Sequence, residues 1–262
     1  MPIALSSFVR SLAAALLTAA LWLPGAALAA SSILIWPIDP VLESDQRASA
    51  LWLENRGDSQ VLLQLRIFAW SQDGKEEHYT EQRDVIGSPP MIRIEPGAKQ
   101  LLRLTRLADV PPGTEQAYRI VVDEIPTAES QADSGDGLSQ AIRFQMRYSV
   151  PLFLYGENLW LKPDPTKKRK TAAGEPRLSW NIERDGGEAY LVIRNDGPVR
   201  ARLTQVAFDQ GGQALSVSDG LLGYVLAHSS YRWPLPGRVA AGASLHATVN
   251  GAGSPQAIQQ LP

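Results

Sequence analysis

Short runs of branched and aromatic residues, each closed by a proline, glycine or asparagine cluster, recur along almost the whole chain. Ser32 to Ile38 and Ala48 to Asn55 carry Trp36 and Trp52, and Asn55-Arg56-Gly57-Asp58 forms the turn into Val61 to Trp70. Pro89-Pro90, Glu95-Pro96-Gly97 and Pro111-Pro112-Gly113 bracket Met91 to Ile94, Lys99 to Thr105 and Ala117 to Ile125. Ala141 to Tyr155 follows a polar stretch, Thr127 to Gln140. Further on, Arg177 to Ile182, Ala189 to Asn195, Ala201 to Phe208, Tyr224 to Ala227, Tyr231 to Leu235 and Ser244 to Val249 read the same way. Asp185-Gly186-Gly187 and Asn195-Asp196-Gly197 supply tight-turn chemistry between them. No segment holds a helical period. Strands at this spacing make an all-β sandwich and exclude an α/β sheet.

The first thirty residues read as an address. Arg10 precedes an apolar run from Leu12 to Leu23, then Pro24-Gly25, and Ala27-Leu28-Ala29 has the small-x-small form of a signal-peptidase site. The run falls short of the about 20 residues a bilayer span needs, and charges interrupt every later apolar run. A soluble, exported mature chain, cut near Ala29 or Ala30, is therefore expected. It is long enough for two domains of about 100 residues each. The boundary is expected near residue 157, giving 31–157 and 158–262. The chain has 25 Lys+Arg and 27 Asp+Glu, with Arg10 the leader's single charge, so the mature balance is 24 against 27, a net −3. That is no footprint for nucleic acid or an anionic membrane. With no cysteine, thiol catalysis, disulfides and thiolate metal sites are excluded.

No active site emerges from the motifs. His78, His228 and His246 lie singly, without the spacing that gathers metal ligands. There is no nucleophile elbow, phosphate loop or dinucleotide fingerprint. Asp133-Ser134-Gly135-Asp136-Gly137 lacks the later bidentate Glu of a calcium loop. The expectation is a non-enzyme with no cofactor, no metal and no small-molecule substrate. The basic run Lys167-Lys168-Arg169-Lys170 reads either as a solvated linker or as a patch for an acidic partner.

Ala141 to Tyr155 reads AIRFQMRYSVPLFLY. Ile142, Phe144, Met146, Tyr148 and Val150 share one face of an extended chain, opposite Arg143, Gln145, Arg147 and Ser149. Such a row either fills its own sandwich or lends its side chains to another protein's unfinished sheet. Exposed edges normally carry blocking charges or prolines, and here none interrupts the apolar face before Pro151. Leu53 and Val121 are taken as ordinary core residues for comparison.

Several ordered blocks carry a family resemblance: IWPIDPVLESDQRASALWLENRG from Ile35, PPMIRIEPGAKQLLRLTR from Pro89, YRIVVDEIP from Tyr118 and RYSVPLFLY from Arg147. LSWNIERDGGEAYLVIRNDG from Leu178 and YRWPLPG from Tyr231 echo it more loosely. On these blocks the chain resembles the periplasmic chaperones of chaperone–usher pilus systems, the PapD-like family, and most closely the archaic branch serving spore-coat-U-type pilins. The resemblance implies two immunoglobulin-like β-sandwich domains arranged as a boomerang with an interdomain cleft. It implies that the protein binds and folds pilus subunits in the periplasm by donor-strand complementation and delivers them to an outer-membrane usher. Carried over residue by residue, the subunit-binding positions are Ile142, Phe144 and Met146. In the commoner branch an Arg and a Lys anchor the subunit's terminal carboxylate, but Asp39 and Pro151 stand at those positions here. Arg119 and Arg106 are the substitutes that strand order suggests, because both fall at the cleft end of their strands; the alternative for each is an ordinary surface charge. The rival function is an exported tandem immunoglobulin-like structural or adhesive module, whose final strand would be self-contained.

Overall fold

The computed structural model describes residues 33–126, 145–160, 166 and 174–261. The leader, the Thr127 to Gln140 stretch, the Asp133 to Gly137 loop, the Lys167 to Lys170 run, Ile142 and Phe144 lie outside the described residues. The described residues form strands and turns, and no helix among them is long and apolar enough to cross a membrane.

Ten strands build the first sandwich: β1 (Ile33–Trp36), β2 (Val41–Leu42), β3 (Ala48–Asn55), β4 (Val61–Gln72), β5 (Glu77–Glu81), β6 (Val85–Ser88), β7 (Met91–Ile94), β8 (Lys99–Arg106), β9 (Glu115–Ile125) and β10 (Arg147–Tyr155). One sheet runs β1-β3-β8-β6. The other runs β2-β10-β9-β4-β5, with β7 also on β4. The expected strand from Ser32 to Ile38 stops at Trp36. Pro37 and Pro40 cannot donate to a ladder, and between them the chain changes sheets, so that β1 pairs β3 while β2 pairs β10 in parallel.

Period-2 alternation sends Leu51, Leu53, Leu63, Leu102, Leu104, Ile120, Val122, Leu152 and Leu154 into one core. Val121 is a correction to the sequence reading. Its neighbours Ile120 and Val122 point inward, so Val121 faces the other way and is half-buried.

The second sandwich has β11 (Leu178–Asp185), β12 (Glu188–Asn195), β13 (Ala201–Asp209), β14 (Ala214–Val225), β15 (Ser229–Pro234), β16 (Ser244–Val249) and β17 (Gln256–Gln260), ordered β14-β13-β16-β17-β11-β12-β15. No strand pairing joins it to the first sandwich among the described residues. Gly186 and Gly187, both at positive φ, close the β11–β12 hairpin as their chemistry requires.

Asn195-Asp196-Gly197 behaves differently from a hairpin turn, because β12 and β13 are not neighbours. Here Asn195 is buried; its amide donates to the carbonyls of Val199, Val225 and Leu226, and its Oδ1 accepts from Gly197 and Arg177. Asn55 does the same work after β3, donating to Ser59 and Ile94 and accepting from Gly57. Each sandwich thus turns one corner on a fully satisfied buried asparagine, which spares the crossing backbone an unpaired polar group.

Candidate functional site

The end of β10 leaves its own sandwich by degrees. On its even-numbered face Leu152 and Leu154 are fully buried, Val150 is 7% exposed, Tyr148 is half-buried and Met146 reaches 39%. Tyr148 still touches the first sandwich by accepting a hydrogen bond from the Ile33 N–H on its hydroxyl. Of the three predicted donor positions, Met146 is therefore an exposed apolar side chain, against 0% for Leu53.

The β10 backbone has one paired and one open side. The Met146 carbonyl accepts from the Glu124 N–H at 3.0 Å, while the Phe153 N–H donates to Pro40 at 3.1 Å. Even-numbered backbone groups thus face β9 and odd-numbered ones face the opposite edge. There β2 covers only Phe153 and Leu154. The N–H and C=O groups of Arg147 and Ser149, and the carbonyl of Pro151, have no backbone partner among the described residues. Pro151 is compatible with the ladder because its nitrogen falls on the open row.

The odd-numbered face of β10 belongs to the outer face of its sheet. Toward the free end it carries an ion ladder across three strands: Arg147 and Arg66 (at 2.6 Å) both donate to Asp123. Burial alone would raise the Asp123 carboxyl, but these two hydrogen bonds hold it below its ordinary value. Toward the other end Trp70, Phe153 and Tyr155 pack against Val199, Tyr224 and Leu226 of the second sandwich. The Trp70 and Tyr224 rings meet edge to face at 5.7 Å. A buried ion pair reinforces that contact, with Arg200 Nη1 3.0 Å from Glu115 Oε2 and the Arg200 N–H donating to Glu115 Oε1 at 2.8 Å. Arg200 also donates to the Tyr155 hydroxyl and lies 4.0 Å from the Phe153 ring centroid. Burial pushes the Glu115 carboxyl above its ordinary value against the pull of Arg200.

Arg119 stands where these two halves of the outer face meet, opposite Pro151 in the β9–β10 register. Its guanidinium stacks 3.7 Å from the Trp70 ring centroid and 5.7 Å from that of Tyr224. Its Nε is buried without a partner, and Nη2 approaches Glu77 Oε1 only to 3.6 Å, beyond hydrogen-bond range. Arg106, the other predicted anchor, is more fully engaged. It donates to the carbonyls of Ala108 (3.0 Å), Tyr155 (3.0 Å) and Glu43 (3.3 Å), tying the end of β8 to the end of β10.

Beside the open edge lies a cavity of about 480 Å³. Arg119, Arg147 and Arg202 line it, together with exposed Ile38 and Leu221, and no carboxylate does. Sequence reasoning reached Arg119 through strand order. It missed Glu115 and Arg200, whose meeting depends on how two sandwiches pack and leaves no local signal. The three histidines stay apart: His78 meets Asp73, His246 meets Ser244, and His228 sits at a positive φ in a turn. No metal-holding group of three His, Cys, Asp or Glu occurs among the described residues.

Residues 39–159 match the family model described as pili and flagellar-assembly chaperone, PapD N-terminal domain. Among solved structures, the chain is similar to the chaperone in the CsuC–CsuE chaperone–tip adhesion subunit pre-assembly complex from archaic chaperone–usher Csu pili of Acinetobacter baumannii. That match has 32% identity and a TM-score of 0.70, covering 88% of this chain and all of that one. It also shares its fold with the CupB2 chaperone of Pseudomonas aeruginosa (21% identity, TM-score 0.55, 86% of this chain and 97% of that one). The Salmonella enterica SafA pilin–SafB chaperone complex gives a further fold match (16% identity, TM-score 0.57, 87% and 94%). A comparison with curated protein sequences returned no match. The chain belongs to the PapD-like family of pilus-assembly chaperones, a non-enzymatic class with two immunoglobulin-like sandwiches.

Proposed function

We propose that this protein is a periplasmic chaperone that captures pilus subunits by donor-strand complementation and hands them to an outer-membrane usher. The observation that carries the reading is the β10 edge. Among the described residues the backbone groups of Arg147 and Ser149 and the Pro151 carbonyl lie open on its outer edge, while its apolar row runs out of the sandwich to exposed Met146. A subunit lacking its last strand exposes an apolar trench and unpaired backbone groups, both costly in water. An added strand satisfies both at once: main-chain hydrogen bonds along Arg147 to Pro151, and side chains of Ile142, Phe144 and Met146 in the trench. The subunit's terminal carboxylate then meets a guanidinium. Arg119, with its unpartnered Nε, is the better fitted of the two predicted anchors, and Arg106 keeps mainly the end of β10 in place. No nucleotide is needed, because subunit folding supplies the driving force.

The test is a pilin carrying a copy of residues 141–150 fused as its own last strand. This self-completed subunit should fold alone and no longer co-purify with the chaperone, while the unmodified pilin does. Equal capture of both forms would remove the donor-strand reading.

A further inference from the structure

The β4–β5 hairpin of the first sandwich reaches the second at the end of β14. Gln72, the last residue of β4, donates from Nε2 to the Tyr224 carbonyl and accepts on Oε1 from the Leu226 N–H, both at 2.9 Å. One residue of a parallel neighbouring strand would make the same two bonds, so this amide stands in for a strand across Val225. From within the second sandwich Asn195 donates to the carbonyls of Val225 and Leu226. Residues 224–226 are thus held by a side-chain amide from each sandwich. The Gln72 carbonyl also accepts from the Ser229 hydroxyl at 3.0 Å, and Gly74 passes Ser230 so closely that a Cβ on it would stand 3.0 Å from Oγ. Tyr224 and Leu226 are each 6% exposed, so backbone groups freed there would have little access to water. Packing offers no substitute, because Gln72 lines a cavity of about 370 Å³ together with Leu226, His228 and Ser229 of the second sandwich.

Gln72 shares the outer face of β4 with Trp70, two residues back. The Trp70 ring carries Arg119 at 3.7 Å and meets the Tyr224 ring at 5.7 Å. Tyr224 and Leu221 of β14 also line one cavity with Ser149, Val150 and Pro151 of the open β10 edge. A chain added along that edge therefore lies against the second sandwich too, and the placing of β14 decides whether it fits. We infer that Gln72 is a positioning residue for subunit capture, fixing the second sandwich where the β10 edge and the end of β14 receive the same added strand. This rests on the proposed function and deepens it. An edge that holds its receiving arrangement for only a tenth of the time binds about tenfold more weakly.

The chain has no cysteine of its own, so spin labels can be placed at two exposed positions, Arg103→Cys on the first sandwich and Arg184→Cys on the second. The distance distribution between them reports how the sandwiches sit. Gln72→Met fills a similar volume without either hydrogen bond. It should broaden a narrow wild-type distribution at temperatures well below melting. Recovery of the pilin encoded beside this chain's own gene should fall about tenfold. Ser229→Ala, which removes one bond, should broaden the distribution less. Lys75→Ala breaks an exposed contact between the sandwiches, 4.0 Å from Asp185, and should change neither reading. A distribution as narrow in Gln72→Met as in the wild type would overturn the inference. So would equal broadening by Lys75→Ala, or a loss of capture that only matches the unfolded fraction. Broadening by Gln72→Met, with no pilin recovered by the wild type, would overturn the functional reading while upholding the joint itself.

Discussion

Glu115→Gln should destabilise the protein far more than a change of one atom suggests. The Glu115 side chain is 1% exposed and that of Arg200 6%, so neither charge can turn to water when its partner is lost. The substituted amide would retain an acceptor for the Arg200 N–H but leave the guanidinium buried without a counter-charge. Stranding one member of a buried pair costs about 3–5 kcal/mol. In a chain of this size each kcal/mol moves the melting temperature by about 2–4 °C, so the drop should be on the order of 10 °C. Removing both charges should behave otherwise. The Glu115 carboxyl is raised by burial, so the folded state holds its proton more tightly than the unfolded chain. Stability from this group is thus lost as pH rises from its ordinary value through its folded one. An apolar pair of similar volume avoids that penalty, and Glu115→Leu/Arg200→Met should fall within about 1 kcal/mol of the wild type or above it. Denaturant titrations of Glu115→Leu, Arg200→Met and the double mutant close the cycle. Single mutants each within about 0.5 kcal/mol of the wild type, adding simply in the double, would refute the argument.

Two other outcomes follow from β10 and its neighbours. Leu152→Ala, at a fully buried position, should cost about 2–5 kcal/mol, whereas Met146→Ala should stay within about 0.5 kcal/mol, as thermal unfolding of the two variants will report. Asp123, held below its ordinary value by Arg147 and Arg66, contributes stability that is present above the usual carboxylate range and lost as pH falls through its folded value. The stability difference between wild type and Asp123→Asn should therefore be flat from about pH 5 to 8 and shrink below about pH 4. A difference that grows in acid would contradict the ladder.

The strands legible in the sequence are those where branched and aromatic residues alternate under a packed sheet: the expected bounds of β3, β4, β9 and β13 lie within two residues of their observed ends. The strands that sequence reasoning misses have other chemistry. Glu77–Glu81 is a polar edge hairpin partner, and Gln256–Gln260 buries a single residue, Ile258. Of Ala214–Val225 only the end, from Tyr224, is expected as strand; Asp219-Gly220 and Gly223 break its apolar pattern, and the register shifts between β13 and β14 accommodate them. Val121 departs from expectation because hydrophobicity alone does not say which face of a strand points inward. Asn195 reads as hairpin chemistry, although its side chain instead holds a corner between sheets. At the site, the alternating row and Arg119 can be read from one strand and its neighbour. Arg200 and Glu115 cannot, since they are 85 residues apart and meet only through the packing of Trp70, Phe153 and Tyr224.

The central claim is that the apolar row ahead of β10 serves a partner's sheet and not its own. Phe144→Asp tests it in one variant, through its melting temperature and the pilin recovered with it. A carboxylate forced into a subunit's apolar groove costs several kcal/mol, far more than one lost contact. The account predicts a melting temperature close to that of the wild type and no recoverable pilin. A large fall in melting temperature, with capture failing only in proportion to the unfolded fraction, would make Phe144 a core residue of its own sandwich and contradict the account.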